Sequence, residues 1–154
     1  MFRLSGKDEK NIMNILDKYL KHEEVQSMKK YIQHGRISTF DHCIKVAKIS
    51  FWLNQRLHLN ANEETLIIGA MLHDFYLYDW HEPGDGSHSF HGYKHPGTAV
   101  VNAYKHFGLS RKVLHIIESH MWPLTITKYP KSKEAAIVCF ADKFCSLEEV
   151  IFER

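Results

Sequence analysis

Hydrophobic positions recur at helical spacing along most of this chain. From Lys7 to about Leu20, the residues Ile12, Ile15, Leu16, Tyr19 and Leu20 fall at steps that keep one face apolar. The same spacing predicts a short second helix from Glu23 to Gln33, with Val25, Met28 and Ile32 inward and Gly35 ending it. Ser38 or Thr39 is suited to cap a long helix reaching about Leu57, with Phe40, Ile44, Ala47 and Phe51 on one stripe. Asn62, with Glu64 and Thr65, opens the next helix, whose stretch from Leu66 through Leu72 is apolar on every side. Such a helix belongs in the middle of a bundle. A buried strand shares that pattern, but no other segment offers a strand partner.

Residues 77–93 read as a loop rich in aromatics, Gly, Ser and His, including Pro83-Gly84-Asp85-Gly86. Loops of that length are often functional. Two helices follow, from Pro96 to Phe107 and from Ser110 to Ser119, separated by Gly108, with Ser110 as a cap. Trp122-Pro123 breaks the pattern. A last helix from near Ser132 carries Ala136, Ile137, Cys139, Phe140, Phe144, Leu147, Val150 and Ile151. The expectation is an all-α bundle of about seven helices without a strand, in a single domain over residues 1–154.

Length and composition narrow the class. A chain of 154 residues, 44% hydrophobic and 25% charged, can bury one real core. Its net charge of +2 lacks the basic footprint of a nucleic-acid binder, so no nucleic-acid partner is expected. No apolar run approaches the ~18 residues of a membrane span. Met1 leads into Phe2-Arg3-Leu4-Ser5-Gly6 and then charges, without the pattern of a signal peptide. The three cysteines, Cys43, Cys139 and Cys145, form no CxxC pair and sit in apolar patterns. That points to a reducing compartment, expected to be the cytoplasm, with no disulfide framework or thiolate zinc site.

Histidine changes the picture, because twelve are present. Histidine is the commonest metal ligand, and the bland alternative for each is surface or ordinary packing. A lone His-Asp dipeptide arises by chance in roughly one such chain in two, so context must carry the reading. His73 and Asp74 close the most apolar helix, where two polar side chains are costly without partners. A mutual hydrogen bond would satisfy them. However, His42 lies on a helix face continued by Val46, Ile49 and Leu53, and Asp142 lies among Phe140, Ala141 and Phe144. Imidazoles and carboxylates on inward faces of several helices suggest one shared cation at their crossing point. Two nitrogens and two oxygens suit iron, manganese, cobalt or zinc.

The order His42, His73-Asp74, Asp142 resembles the H…HD…D signature of the HD-domain superfamily. Asp41-His42-Cys43-Ile44-Lys45-Val46-Ala47 is similar to its first-histidine helix, and Gly69-Ala70-Met71-Leu72-His73-Asp74 to its HD helix. The resemblance covers about residues 34–147. It implies a metal site of His42, His73, Asp74 and Asp142, with His73 and Asp74 also central to catalysis. In two-metal members, histidines placed like His95 and His120 bind a second ion that Asp74 shares. The alternatives are a surface loop residue for His95 and, for His120, a helix-end histidine favoured by the dipole. The lysine that many HD hydrolases carry three residues after the motif aspartate is Leu77 here. Lys94 and Lys143 are the candidates to replace it, against the alternative of solvated charges.

His34 and Arg36, shortly before the first ligand helix, are candidates to face substrate. His81, His88 and His91 are expected as exposed or lid residues, with His91 the nearest to His95. His22, His58, His106 and His115 read as surface or ordinary packing residues. The resemblance implies a metal-dependent phosphohydrolase acting on a nucleotide or another small phosphate ester. The run from His95 to His120 is similar to HD enzymes that split dinucleoside polyphosphates; the motifs of cyclic-dinucleotide phosphodiesterases are absent. The same ligand set also resembles diiron HD oxygenases of polyols or phosphonates, and a non-catalytic metal-binding regulatory domain is the third alternative.

Overall fold

The computed structural model describes residues 2–82 and 90–152. Seven α-helices appear among them: α1 (Gly6–Leu20), α2 (Glu23–Ser27), α3 (Thr39–Arg56), α4 (Glu63–Leu72), α5 (His91–Phe107), α6 (Arg111–Ser119) and α7 (Lys133–Phe152). The starts follow local chemistry. Ser5 caps α1 in a capping box with Asp8, and Ser38 Oγ, Asn62 Oδ1 and Ser110 Oγ accept the backbone N–H of Asp41, Thr65 and Val113. Gly108 ends α5 in the left-handed region at φ 58°, returning its N–H to the Tyr104 carbonyl.

The all-apolar stretch sits where its pattern demands. Every residue from Leu66 to Leu72 is buried, and α4 packs against α1, α3, α6 and α7. Helix α3 packs along α4 and α7, and α5 lies on α6. The core so formed draws Ile12 and Leu16 from α1, Val46 and Phe51 from α3, Ile116 from α6 and Val138 from α7.

Three expectations are corrected. The helix expected from Glu23 to Gln33 stops at Ser27, continues as one turn of 3-10 helix over Met28–Lys30, and gives way to strand β1 (Ile32–His34). β1 pairs antiparallel with β2 (Ile37–Ser38), so the chain is not free of strands. Gly35, at φ 56°, makes the hairpin turn rather than ending a helix. Met28 and Val25 are buried as their spacing required, but in β1 the alternation of a strand turns Gln33 inward and leaves Ile32 only partly buried. Third, α5 begins at His91, not Pro96, so His95 lies inside the helix, and the segment before α5 starts earlier than read because α4 ends at Leu72. Pro96 lies in the second turn of α5, where it leaves the Gly92 carbonyl without its usual i+4 helical donor. Pro83-Gly84-Asp85-Gly86 and His88 lie outside the described residues.

Helix α7 uses its periodicity differently from a simple apolar count. Val138, Ala141, Asp142, Cys145 and Glu149 face inward, whereas Phe140, Phe144, Leu147, Val150 and Ile151 are exposed. Residues seven apart share a helix face, which places Asp142 and Glu149 together.

Candidate metal centre

The C-terminal end of α4, the N-terminal half of α5, the end of α6, the first turn of α3 and the middle of α7 converge on one point. His42, His73, Asp74, His95, His120 and Asp142 are all buried there. They form two groups whose ligand atoms lie within 4.8 Å of one another, His42, His73, Asp74 and Asp142 in the first and Asp74, His95 and His120 in the second. Asp74 faces both. Its Oδ2 lies 3.3 Å from His73 Nε2 and 3.8 Å from His42 Nε2, while Oδ1 lies 3.1 Å from His95 Nε2 and 3.3 Å from His120 Nε2. Asp142 Oδ1 is 3.0 Å from His42 Nε2 and 3.4 Å from His73 Nε2.

The imidazole tautomers follow from the partners on the far side of each ring. His73 Nδ1–H donates to the Ala70 carbonyl at 2.6 Å, His95 Nδ1–H to His91 at 2.8 Å and His120 Nδ1–H to Ile117 at 2.7 Å. A carbonyl only accepts, so these nitrogens carry hydrogen and the neutral rings turn their Nε2 lone pairs to the centre. His42 Nδ1 meets the Glu149 carboxylate at 2.9 Å to the same effect.

That arrangement fits cations better than it fits itself. His95 Nε2 and His120 Nε2 face each other at 2.9 Å, and burial pushes the His120 pKa down, which disfavours a proton as the solution. His73 Nε2 and Asp74 Oδ1 are buried with no hydrogen-bond partner among the described residues. Unpaired polar atoms this deep are costly, and a divalent ion on each side of Asp74 would satisfy them. Nitrogen and carboxylate donors in these numbers suit a borderline divalent metal.

A family model described as HD domain matches residues 39–147. The chain belongs to the HD-domain family. Nothing among curated proteins and nothing among solved structures matches it. The HD family consists mostly of metal-dependent hydrolases, and the helical bundle found here is its fold. Among the described residues, no helix is long and apolar enough to cross a membrane.

Around this HD centre lies a cavity of about 870 Å³, reached by some of the expected substrate residues and not by others. His34, His91 and Lys143 line it. His91 stacks between Trp80, at 5.0 Å, and His95, at 4.4 Å, and its Nδ1 meets the Tyr78 hydroxyl at 2.8 Å. It is part of the wall, not a free lid residue. Lys143 Nζ donates to the His120 carbonyl at 2.9 Å. Arg36 and Lys94, expected as substrate contacts, are exposed and do not line the cavity. Arg36 follows the Gly35 turn, and Lys94 lies on the solvent side of α5, one residue round the helix from His95. His22, His106 and His115 serve local packing and capping, with His22 Nδ1 accepting from Glu24 N and His115 Nε2 from Lys131 N.

Sequence reasoning missed three supporting residues. Glu149 is fully buried and holds His42. Gln33 Nε2 donates to Asp74 Oδ2 at 2.7 Å, and Tyr76 donates its hydroxyl to Gln33 Oε1 at 2.6 Å. For Glu149 the signal was present, since it lies seven residues after Asp142 and so on the same face. For Gln33 there was none, because only the hairpin turns it inward. Glu149→Leu is expected to weaken metal binding at the His42 side by about 10–100-fold, and Glu149→Gln, which keeps an acceptor, by less. Competition with a chromophoric chelator reads both.

Charge compensation makes the metal-free protein pH-sensitive. Burial lowers the His42 pKa, but its hydrogen bonds to Asp142 and Glu149 outweigh this and raise it to about 10. Burial likewise opposes ionisation of Asp74 and Asp142, yet the His73 charge at Asp74, and the His42 hydrogen bond with the nearby His73 charge at Asp142, hold both well below the ordinary carboxylate value. A raised histidine contributes stability in full below its unfolded value of 6.5 and loses it as pH rises through about 10. The depressed carboxylates contribute above 3.8 and lose it as pH falls through their folded values. The metal-free protein is therefore expected to melt highest between these limits and progressively lower above pH 6.5. Metal binding displaces the protons, so the rise in Tm on adding manganese should grow across the same interval. Melting curves with and without metal at stepped pH test this.

Proposed function

We propose that this HD-domain protein is a phosphohydrolase that cleaves a small phosphorylated metabolite with two divalent cations. The observation that carries the reading is the division of Asp74, one carboxylate oxygen toward His42 and His73 and the other toward His95 and His120. When bound, such ions supply hydroxide from water at neutral pH and neutralise the oxygens of a phosphoryl group. His42, His73, Asp74 and Asp142 would hold one ion, and Asp74, His95 and His120 the other.

The chain's own residues do the rest. Carbonyls of α4, α5 and α6 keep three imidazoles in the tautomer that presents Nε2. Gln33, steadied by Tyr76, fixes the rotation of the Asp74 carboxylate. The cavity opens beside this cluster and is wide enough for a metabolite, within the range of about 300–1,000 Å³ common for ligand sites.

The test is elemental analysis of purified protein, followed by chelation, reloading with manganese, and phosphate release from a panel of small phosphate esters with and without oxygen. Two metal equivalents and metal-dependent, oxygen-independent phosphate release are expected. Oxygen consumption without phosphate release would replace the hydrolase by an oxygenase, and absence of bound metal would remove both.

A further inference from the structure

The walls of the cavity contrast with its floor. Asp74, His95, His120 and Asp142 make a polar floor, while Met121, Pro123, Leu124, Leu147 and Val150 make an apolar mouth. Leu124 and Leu147 are 44% and 62% exposed although they are large and apolar. They come from two separate elements, the segment after α6 and the outer face of α7, that meet over the same opening.

Cations are scarce there. Among the described residues, Lys143 is the one lysine or arginine lining the cavity, and its ammonium already donates to the His120 carbonyl at 2.9 Å and lies 3.3 Å from Cys139 Sγ. Arg36 and Lys94 stay outside. With Asp74 and Asp142 as the lining carboxylates and Lys143 as the lining cation, a pair of divalent ions carrying one hydroxide leaves a net charge of about +2, which one phosphoryl dianion balances. Further phosphates would need basic side chains that the described residues of the mouth do not offer, and anion sites built for polyphosphate use such groups.

We infer that the substrate is a phosphomonoester with a single phosphoryl group on an apolar or aromatic body, not a polyphosphate. The inference rests on the phosphohydrolase reading and narrows it. The phosphoryl group sits on the His-Asp floor, and the body lies between the 121–124 segment and the Leu147–Val150 edge of α7. In hydrolysis the bond between phosphorus and the leaving oxygen breaks and one from water oxygen to phosphorus forms. Water also supplies the proton that the leaving alcohol takes, so no co-reactant is needed.

The experiment compares 1-naphthyl phosphate, glycerol 2-phosphate and ATP as substrates of the manganese-loaded wild type and of Leu147→Asp. Leu147 is exposed, so the change does not disturb the core. Wild type is expected to favour naphthyl phosphate over glycerol 2-phosphate by about 10-fold or more in kcat/KM, mainly through KM, with ATP the poorest. Leu147→Asp should raise KM for naphthyl phosphate about 10-fold more than it raises KM for glycerol 2-phosphate, because the added carboxylate repels both phosphates and only the naphthyl body loses apolar contact. As a readout independent of turnover, 1-naphthyl phosphonate, whose C–P bond is not cleaved, should raise the Tm of wild type more than that of Leu147→Asp. Equal rates across the three leaving groups, a preference for ATP, or a Leu147→Asp enzyme indistinguishable from wild type overturns this inference and leaves the hydrolase standing. No phosphate release from any ester overturns the hydrolase reading and this inference with it.

Discussion

Asp74→Ala is expected to lose both metal ions and to lower phosphate-ester hydrolysis by about 1,000-fold or more. Asp74 belongs to both ligand groups, and its two oxygens face different pairs of imidazoles. Without it, the first group keeps three ligands but loses a negative charge between His42 and His73, and the second keeps only the two facing nitrogens of His95 and His120, 2.9 Å apart. His120→Ala has a narrower effect. His120 Nε2 approaches Asp74 only at Oδ1, so one ion should be lost and the other kept. Metal content per chain, measured beside circular dichroism, separates ligand loss from unfolding, and Asp74→Asn supplies a shape-preserving control. A His120→Ala protein with two ions and full activity would sink the shared-carboxylate arrangement.

Gly69→Ala is expected to destabilise the fold by about 1–3 kcal/mol through overpacking, against the ~1 kcal/mol that alanine gains over glycine in helix propensity. A Cβ at Gly69 would meet Ile116 Cδ1 at 2.6 Å, Cγ2 at 2.8 Å and Cβ at 3.0 Å. The first contact can be relieved by a rotamer change, but the last lies at the root of the side chain and requires α6 to move from α4. His120 follows Ile116 by one turn of α6, and Asp74 lies just beyond the end of α4. The substitution should therefore weaken the second metal position as well as lower Tm, by roughly 2–4 °C for each kcal/mol in a domain of this size. Gly69→Val should do both more strongly. A Gly69→Ala protein that melts at or above wild type would show that the close approach of the two helices is not tightly constrained.

The residues of the centre were legible in the chain because each is a polar group at an inward position of an otherwise apolar helix. His42, His73, Asp74 and Asp142 stand out without tertiary information, whereas His95 and His120 are singled out only through the family resemblance; the structure brings all six together as candidate ligands. Substrate-facing residues were less legible. Arg36 and Lys94 are near the centre in sequence, but a hairpin turn and one helical step of about 100° carry them away from it. Lys143 reaches the cavity yet has its ammonium engaged by the His120 carbonyl, which no local pattern announces.

Periodicity and capping chemistry therefore determined most of the helices, the central place of α4 and the inward polar residues His42, His73, Asp74 and Asp142, since these depend on spacing within one segment. Tertiary structure alone decided how those ligands divide. The convergence of α3, α4, α5, α6 and α7 splits Asp74 between two imidazole pairs and brings Glu149 and Gln33 behind His42 and Asp74. It also decided that the mouth of the cavity is apolar and short of cations, because exposed faces from the 121–124 segment and α7 meet there. Contacts between segments distant in sequence have no signature in either segment by itself, and the chemistry of this site lies in those contacts.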